Sequence, residues 1–204
     1  MTIFHSNHPA KNYMPPNEPL PADAGANAPP RLKRSVRRGM AKASMQVSAE
    51  LRGLIARLNL EPHPEGGWYR EVYRSALAVE TPRGPRAAIT TIHYLLAAGQ
   101  FSRWHVVDSD EVWHFYRGQS LELLTYVPSS RQLGRVELCG SDSARQVAVV
   151  PAGVWQAACP QGKYALVGCT VGPGFAFEDF RFVSSLPEHA EHLLGVFGNH
   201  RELL

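Results

Sequence analysis

His105 and Glu111 are the residues of this 204-residue chain whose types and spacing best fit chemistry. They stand in Trp104-His105-Val106-Val107-Asp108-Ser109-Asp110-Glu111-Val112-Trp113-His114-Phe115-Tyr116-Arg117-Gly118, where two apolar runs flank a short Asp-Ser-Asp turn. If both runs are strands, alternation points His105 from one and Glu111 from the other into the same interior space. A buried imidazole and a buried carboxylate are costly unless they pair, hydrogen-bond or hold an ion, so their convergence marks a pocket. The chemistry such a pair supports is proton transfer, with a neutral His105 as base or acid and Glu111 setting its tautomer or sharing the proton. Trp113 is in register with Glu111 and is expected in the core or on the pocket wall. His93, in phase with Thr91 and Leu95, is expected to face the interior as a further polar wall residue. His114 is out of phase with Glu111 and should face away.

These side chains need a scaffold of strands, and the sequence supplies one. Leu51, Leu54, Ile55 and Leu58 recur at helical spacing behind Ser48 as N-cap, with Glu50 in the first turn where a carboxylate is favoured. Glu61-Pro62-His63-Pro64-Glu65-Gly66-Gly67 then breaks any helix. Strands are expected over 68–75, 88–96, 102–107, 111–116, 121–127, 134–138, 146–150, 154–158, 164–171 and 177–183. Short strands with Gly, Pro, Asp and Ser at the breaks predict an all-β antiparallel sandwich or barrel and not an alternating α/β fold. Residues 187–204 return to a helical pattern through Ala190, Leu193, Leu194 and Phe197, which predicts a terminal helix packed outside the barrel.

Residues 1–46 are different in kind. They are rich in proline, including Pro15-Pro16, Pro19, Pro21 and Pro29-Pro30, and carry too few large apolar side chains to offset the entropy of ordering them. A disordered basic extension is expected there, followed by a single domain over 47–204; Met40 and Met45, both before the first patterned element, are alternative starts. The net charge of +3 owes much to Arg31-Leu32-Lys33-Arg34-Ser35-Val36-Arg37-Arg38. No aromatics interleave with that run, so a solvated tail is expected and not a nucleic-acid site. Neither a long apolar span nor a leader pattern is found, which predicts no membrane partner and a cytoplasmic location. Cys139, Cys159 and Cys169 lack metal-ligand spacing and read as reduced core residues.

Glu111, six intervening residues and Gly118 match the second half of the first cupin motif, with His105 close to where that motif places its histidines. Pro151-Ala152-Gly153-Val154-Trp155-Gln156 is similar to the second motif, Gln156 standing in the place of its last histidine. The chain therefore resembles the cupin superfamily. Within it, His63-Pro64-Glu65-Gly66-Gly67-Trp68-Tyr69 and the segment from Leu166 to Phe180 resemble the fifth cupin subfamily, small proteins first defined as a domain of unknown function.

This resemblance implies a cupin jelly-roll barrel, the double-stranded β-helix. It implies a strand beside the barrel mouth bearing Tyr69 and Arg70, which join Gln156 as candidate ligand contacts. Metal-binding cupins carry two histidines one residue apart, a Glu and a final His. Here the neighbours of His105 at that spacing are Arg103 and Val107; Arg103 is taken as a further ligand contact. Only His105, Glu111 and Gln156 are left for a divalent ion, which they would hold weakly, and no cofactor is required. The expected function is binding of a small polar, sugar-like metabolite, with epimerase- or isomerase-type proton transfer by His105 and Glu111. The alternatives are a non-catalytic small-molecule-binding cupin and a weakly metal-dependent enzyme. A homodimer is the expected assembly, since cupins pair through their sheet edges, with strand 68–75 crossing to the partner.

Overall fold

A computed structural model describes residues 49–141, 145–185, 191, 193 and 203. The Pro-rich extension, the Ser48 cap and most of the expected C-terminal helix lie outside the described residues. Helix α1 (Ala49–Leu58) buries Leu51 and Leu54 on one face and carries Glu50 in its first turn, as its spacing predicts. The strands follow: β1 (Glu61–Pro62), β2 (Trp68–Arg74), β3 (Ala78–Val79), β4 (Arg86–Ala87), β5 (Thr90–Ala97), β6 (Ser102–Val107), β7 (Asp110–Gly118), β8 (Leu121–Val127), β9 (Gln132–Leu138), β10 (Val147–Val150), β11 (Trp155–Pro160), β12 (Tyr164–Gly172) and β13 (Phe180–Phe182).

They form two facing antiparallel sheets, β1-β2-β5-β12-β7-β10 and β13-β6-β11-β8-β9, with β3-β4 as a small separate hairpin. This is the cupin jelly roll. Inward side chains of both sheets, among them Tyr94, Trp113, Leu123, Val150 and Val167, fill the closed end of the barrel. Two outer layers are also apolar. Leu51, Leu54 and Leu60 pack on Leu95, Ala97 and Leu166 outside the larger sheet. Val183, Leu193 and Leu203 pack on Trp104, Val106, Tyr126 and Trp155 outside the smaller one. Double covering explains why β11 and β12 are buried along nearly their whole length and show little alternation.

The strands differ from expectation in two places. Residues 177–183 form a 3₁₀ turn, Phe177–Asp179, before only three residues of strand, because the buried Asp179 carboxylate is held by Arg83 and Arg86 and ties the turn down. The two-residue strands β1, β3 and β4 are too short to show alternation and were not expected. Strand β2 pairs with β5 from Trp68↔Leu95 to Arg74↔Thr90.

Candidate functional site

Alternation in β6 sends Trp104 and Val106 to the outer layer and His105 and Val107 inward. In β7 it sends Glu111 and Trp113 inward, and in β11 Gln156 lies directly opposite His105. These residues meet at the base of an open cavity of about 600 Å³. His105 and Glu111 line it together with His63, Glu65, Tyr69 and Cys169; Ile92, Val107 and Val171 give it apolar sides.

The residue closest to His105 is Glu65, from the turn between β1 and β2. Its Oε2 lies 2.7 Å from His105 Nδ1. The Nδ1–H itself is directed at the Arg103 carbonyl, 2.8 Å away, so Glu65 meets the ring off the hydrogen-bond axis and the contact is ionic in character. With Nδ1 engaged, Nε2 is the ring atom left for a ligand. Burial works against a charged imidazole, but the Glu65 carboxylate outweighs it and, with Glu111 nearby, lifts the His105 pKa to about 9. Burial likewise opposes ionisation of Glu65, yet His105 holds its carboxyl below the ordinary range. Glu111 goes the other way: burial, reinforced by Glu65, pushes its pKa up. The site therefore contains a buried Glu65–His105 ion pair beside a second carboxyl, Glu111, whose pKa burial raises.

Behind Glu111 runs a fixed polar chain. Trp113 Nε1 donates to Gln156 Oε1 at 2.9 Å, and Gln156 Nε2 donates to Glu111 Oε2 at 2.5 Å. Because an indole N–H can only donate, it sets the amide with its oxygen towards Trp113 and its NH₂ towards Glu111. His63 is set in a similar way: Nδ1 accepts the Glu65 backbone N–H at 3.3 Å, and burial lowers its pKa, so it sits beside the ion pair as a neutral ring.

The structure brings together His105, Glu111 and Gln156, with Trp113 immediately behind, and Tyr69 and Arg70 line the cavity as expected. Two expected contacts fall elsewhere. His93 is on the outer face, edge-on to Tyr116 with ring centres 5.9 Å apart, because Leu95, with which it is in phase, packs under α1 and not in the barrel. Arg103 donates to the Pro64 carbonyl at 2.7 Å and lies over the Phe182 ring, so it holds the Glu65 turn and does not line the cavity. The expected neutral His105, with Glu111 setting its tautomer, is corrected too: Arg103 O and Glu65 occupy Nδ1, and the ring is charged at neutral pH. Glu65 and His63 were missed as site residues. Their segment carried a visible signal in His63-Pro64-Glu65-Gly66-Gly67, but its prolines and glycines read as turn chemistry.

The donors do not suit a metal ion. Gln156 Oε1, the oxygen expected to ligate, is occupied by Trp113, and the amide NH₂ is turned towards Glu111. No group of three or more His, Cys, Asp or Glu placed to hold a metal occurs among the described residues. The three cysteines are free, Cys159 and Cys169 buried and Cys139 half-buried. No helix among the described residues is long and apolar enough to cross a membrane.

A two-sheet jelly roll with a polar site on β6, β7 and β11, opening at one end, defines a cupin. The chain belongs to the cupin family described as Cupin superfamily (DUF985), whose model matches residues 52–183. A hypothetical protein from Leishmania major is 32% identical over 68% of this chain and 93% of its own, with a TM-score of 0.59. A protein from Shewanella oneidensis solved by X-ray crystallography is 34% identical over 67% of this chain and 90% of its own, also with a TM-score of 0.59. No protein with curated function matches the chain.

Proposed function

We propose that this cupin binds a small polar molecule by its acceptor atoms and transfers a proton to it, with His105 as general acid. The observation that carries this reading is the buried Glu65–His105 pair: a carboxylate against Nδ1 keeps the imidazole charged while Nε2 remains for a ligand. Glu111, held at Oε2 by the Gln156 amide and raised in pKa by burial, is a second donor in the same cavity in its protonated form. A carbonyl oxygen between the two would gain hydrogen bonds that strengthen as negative charge develops on it, as in an enolisation or isomerisation. Once His105 has given its proton to the carbonyl oxygen, its neutral Nε2 is the base that takes the α-hydrogen as the enol forms, and Glu65 makes that return to the charged ring favourable.

A second reading, a binding module without turnover, is favoured by one observation. The inner groups are donors, and the neutral His63 has its Nδ1 lone pair occupied by the Glu65 N–H. The two readings separate in heavy water. Proton NMR would follow exchange of the α-hydrogens of unphosphorylated ketoses and aryl ketones with the protein, His105→Gln and Glu65→Gln. The enzymatic reading expects exchange above that of free imidazole, lowered at least tenfold by either substitution. Unchanged exchange in His105→Gln overturns it, and binding without exchange leaves the module.

A further inference from the structure

The cavity walls speak to the class of ligand. One wall is a ladder of rings running from solvent to the imidazole. Phe177 is 60% exposed at the outer end and meets Phe175 edge-on at 5.1 Å. Phe175 meets Phe180 at 6.0 Å, and Phe180 stacks on His105 at 5.1 Å with 24° between the planes. An apolar ring as exposed as Phe177, continuous with rings that reach the polar site, offers a flat surface along the whole depth of the cavity.

The charges at the mouth point the same way. Arg74, which faces the cavity, is already committed: it donates to both Glu71 oxygens, at 3.0 and 2.7 Å, and to the Phe175 carbonyl at 3.1 Å. Glu61, Glu71 and Glu178 also line the opening, and Glu65 keeps its charge inside. A phosphate brought into this cavity would meet the Glu61, Glu71 and Glu178 carboxylates at the entrance, with Arg70 the one guanidinium of the lining without an ion pair among the described residues.

We propose that the cavity takes an uncharged ligand with a flat apolar face, an aryl or cyclic carbonyl compound, and not a phosphorylated sugar or other phosphate-bearing metabolite. This rests on the reading that His105 and Glu111 hold the ligand's acceptor atom; the apolar body then lies along Phe180 and Phe175, with Phe177 over its outer edge.

The test uses the full chain and three probes: acetophenone, benzoate and glucose 1-phosphate, titrated with saturation-transfer NMR and the ring resonances of His105 as readouts. Acetophenone is expected to bind at least tenfold more tightly than either anion and to shift the His105 resonances. Phe177→Ala, at an exposed position, and Phe180→Leu, which keeps the apolar bulk but removes the ring, should each weaken it at least threefold. Glucose 1-phosphate binding as tightly as acetophenone overturns the assignment. So does acetophenone failing to bind, or both Phe variants binding it like the parent. Failure here is distinguishable from failure of the proton-transfer reading. Tight binding of glucose 1-phosphate by a protein that still exchanges the α-hydrogens of the ketones removes only the ligand class, and bound acetophenone that does not exchange removes only the catalysis.

Discussion

Glu65 sets the charge of the site. Its carboxylate keeps His105 protonated in surroundings that would otherwise expel the charge, and each member of the pair makes the other's ionised form the stable one. The consequence for stability follows from the directions of the two shifts. His105 is lifted from its ordinary 6.5 to about 9, so its contribution is complete below about 6.5 and is lost as pH rises through about 9. Glu65 is held below its ordinary 4.5, so its contribution is present above that value and is lost as pH falls through its lowered pKa. Glu111, raised by burial, adds a penalty that grows on the alkaline side of its ordinary 4.5. Thermal melting should therefore show a maximum between about pH 4.5 and 6.5, with a decline between about 6.5 and 9. In Glu65→Gln the alkaline decline should flatten, and NMR of the ring nitrogens should show His105 titrating at or below 6.5 in place of about 9. A variant whose His105 still titrates near 9 would mean that Glu65 is not the cause.

At the scale of elements, the turn between β1 and β2 positions the ion pair, and two glycines make that turn possible. Gly66 has φ 117° and Gly67 φ 70°, and a Cβ on either would lie 2.1 Å from the Phe101 carbonyl oxygen or 2.5 Å from that of Leu95. The turn is fastened from three sides, by Arg103 N–H to the Glu65 carbonyl, the Arg103 guanidinium to Pro64 and the Tyr94 hydroxyl to the Gly66 carbonyl. Gly66→Ala should cost about 1–3 kcal/mol in urea unfolding and lower the His105 pKa, as the displaced turn carries Glu65 away; an unchanged titration would show that the turn does not position the carboxylate. The same elements show what sequence patterns reveal. Strands β6 and β7 alternate against a single core, and from that alternation Glu111 and His105 could be placed inside. In β5 both faces are apolar, since α1 covers Leu95 while the barrel takes Tyr94 and Leu96, so periodicity could not fix the phase of His93. Glu65 escaped because its partner is brought in by a turn folding back over the chain, a contact with no periodic signature. Gln156 was legible as a site residue, but the direction of its amide depends on Trp113, 43 positions away.

For the molecule as a whole, the question is what covers the outside of the larger sheet. The smaller sheet is covered by Val183, Leu193 and Leu203, whereas α1 covers only the part of the larger one around Trp68, Leu95 and Leu166. Beyond α1 a row of facing residues crosses five strands, Tyr73–Thr91–Thr170–Val112–Val149, with the two threonine hydroxyls bonded at 2.9 Å in the middle. At a strand spacing of about 4.8 Å the row is about 19 Å long. Tyr73 is 54% exposed, Val149 40% and neighbouring Tyr116 51%. A second copy related by a two-fold axis would set this row against itself, covering apolar surface at both ends without unpairing any strand. The expected assembly is thus a homodimer joined through this face, with the cavity of each subunit built from one chain. Sedimentation equilibrium should give twice the chain mass for the parent protein. Tyr73→Glu combined with Val149→Glu should give the single-chain mass, with far-UV circular dichroism and the His105 titration unchanged as evidence that the barrel is intact. A parent protein that sediments as a monomer at its highest soluble concentration would leave this face without a partner copy, and a doubly substituted dimer would move the contact to the strand edges.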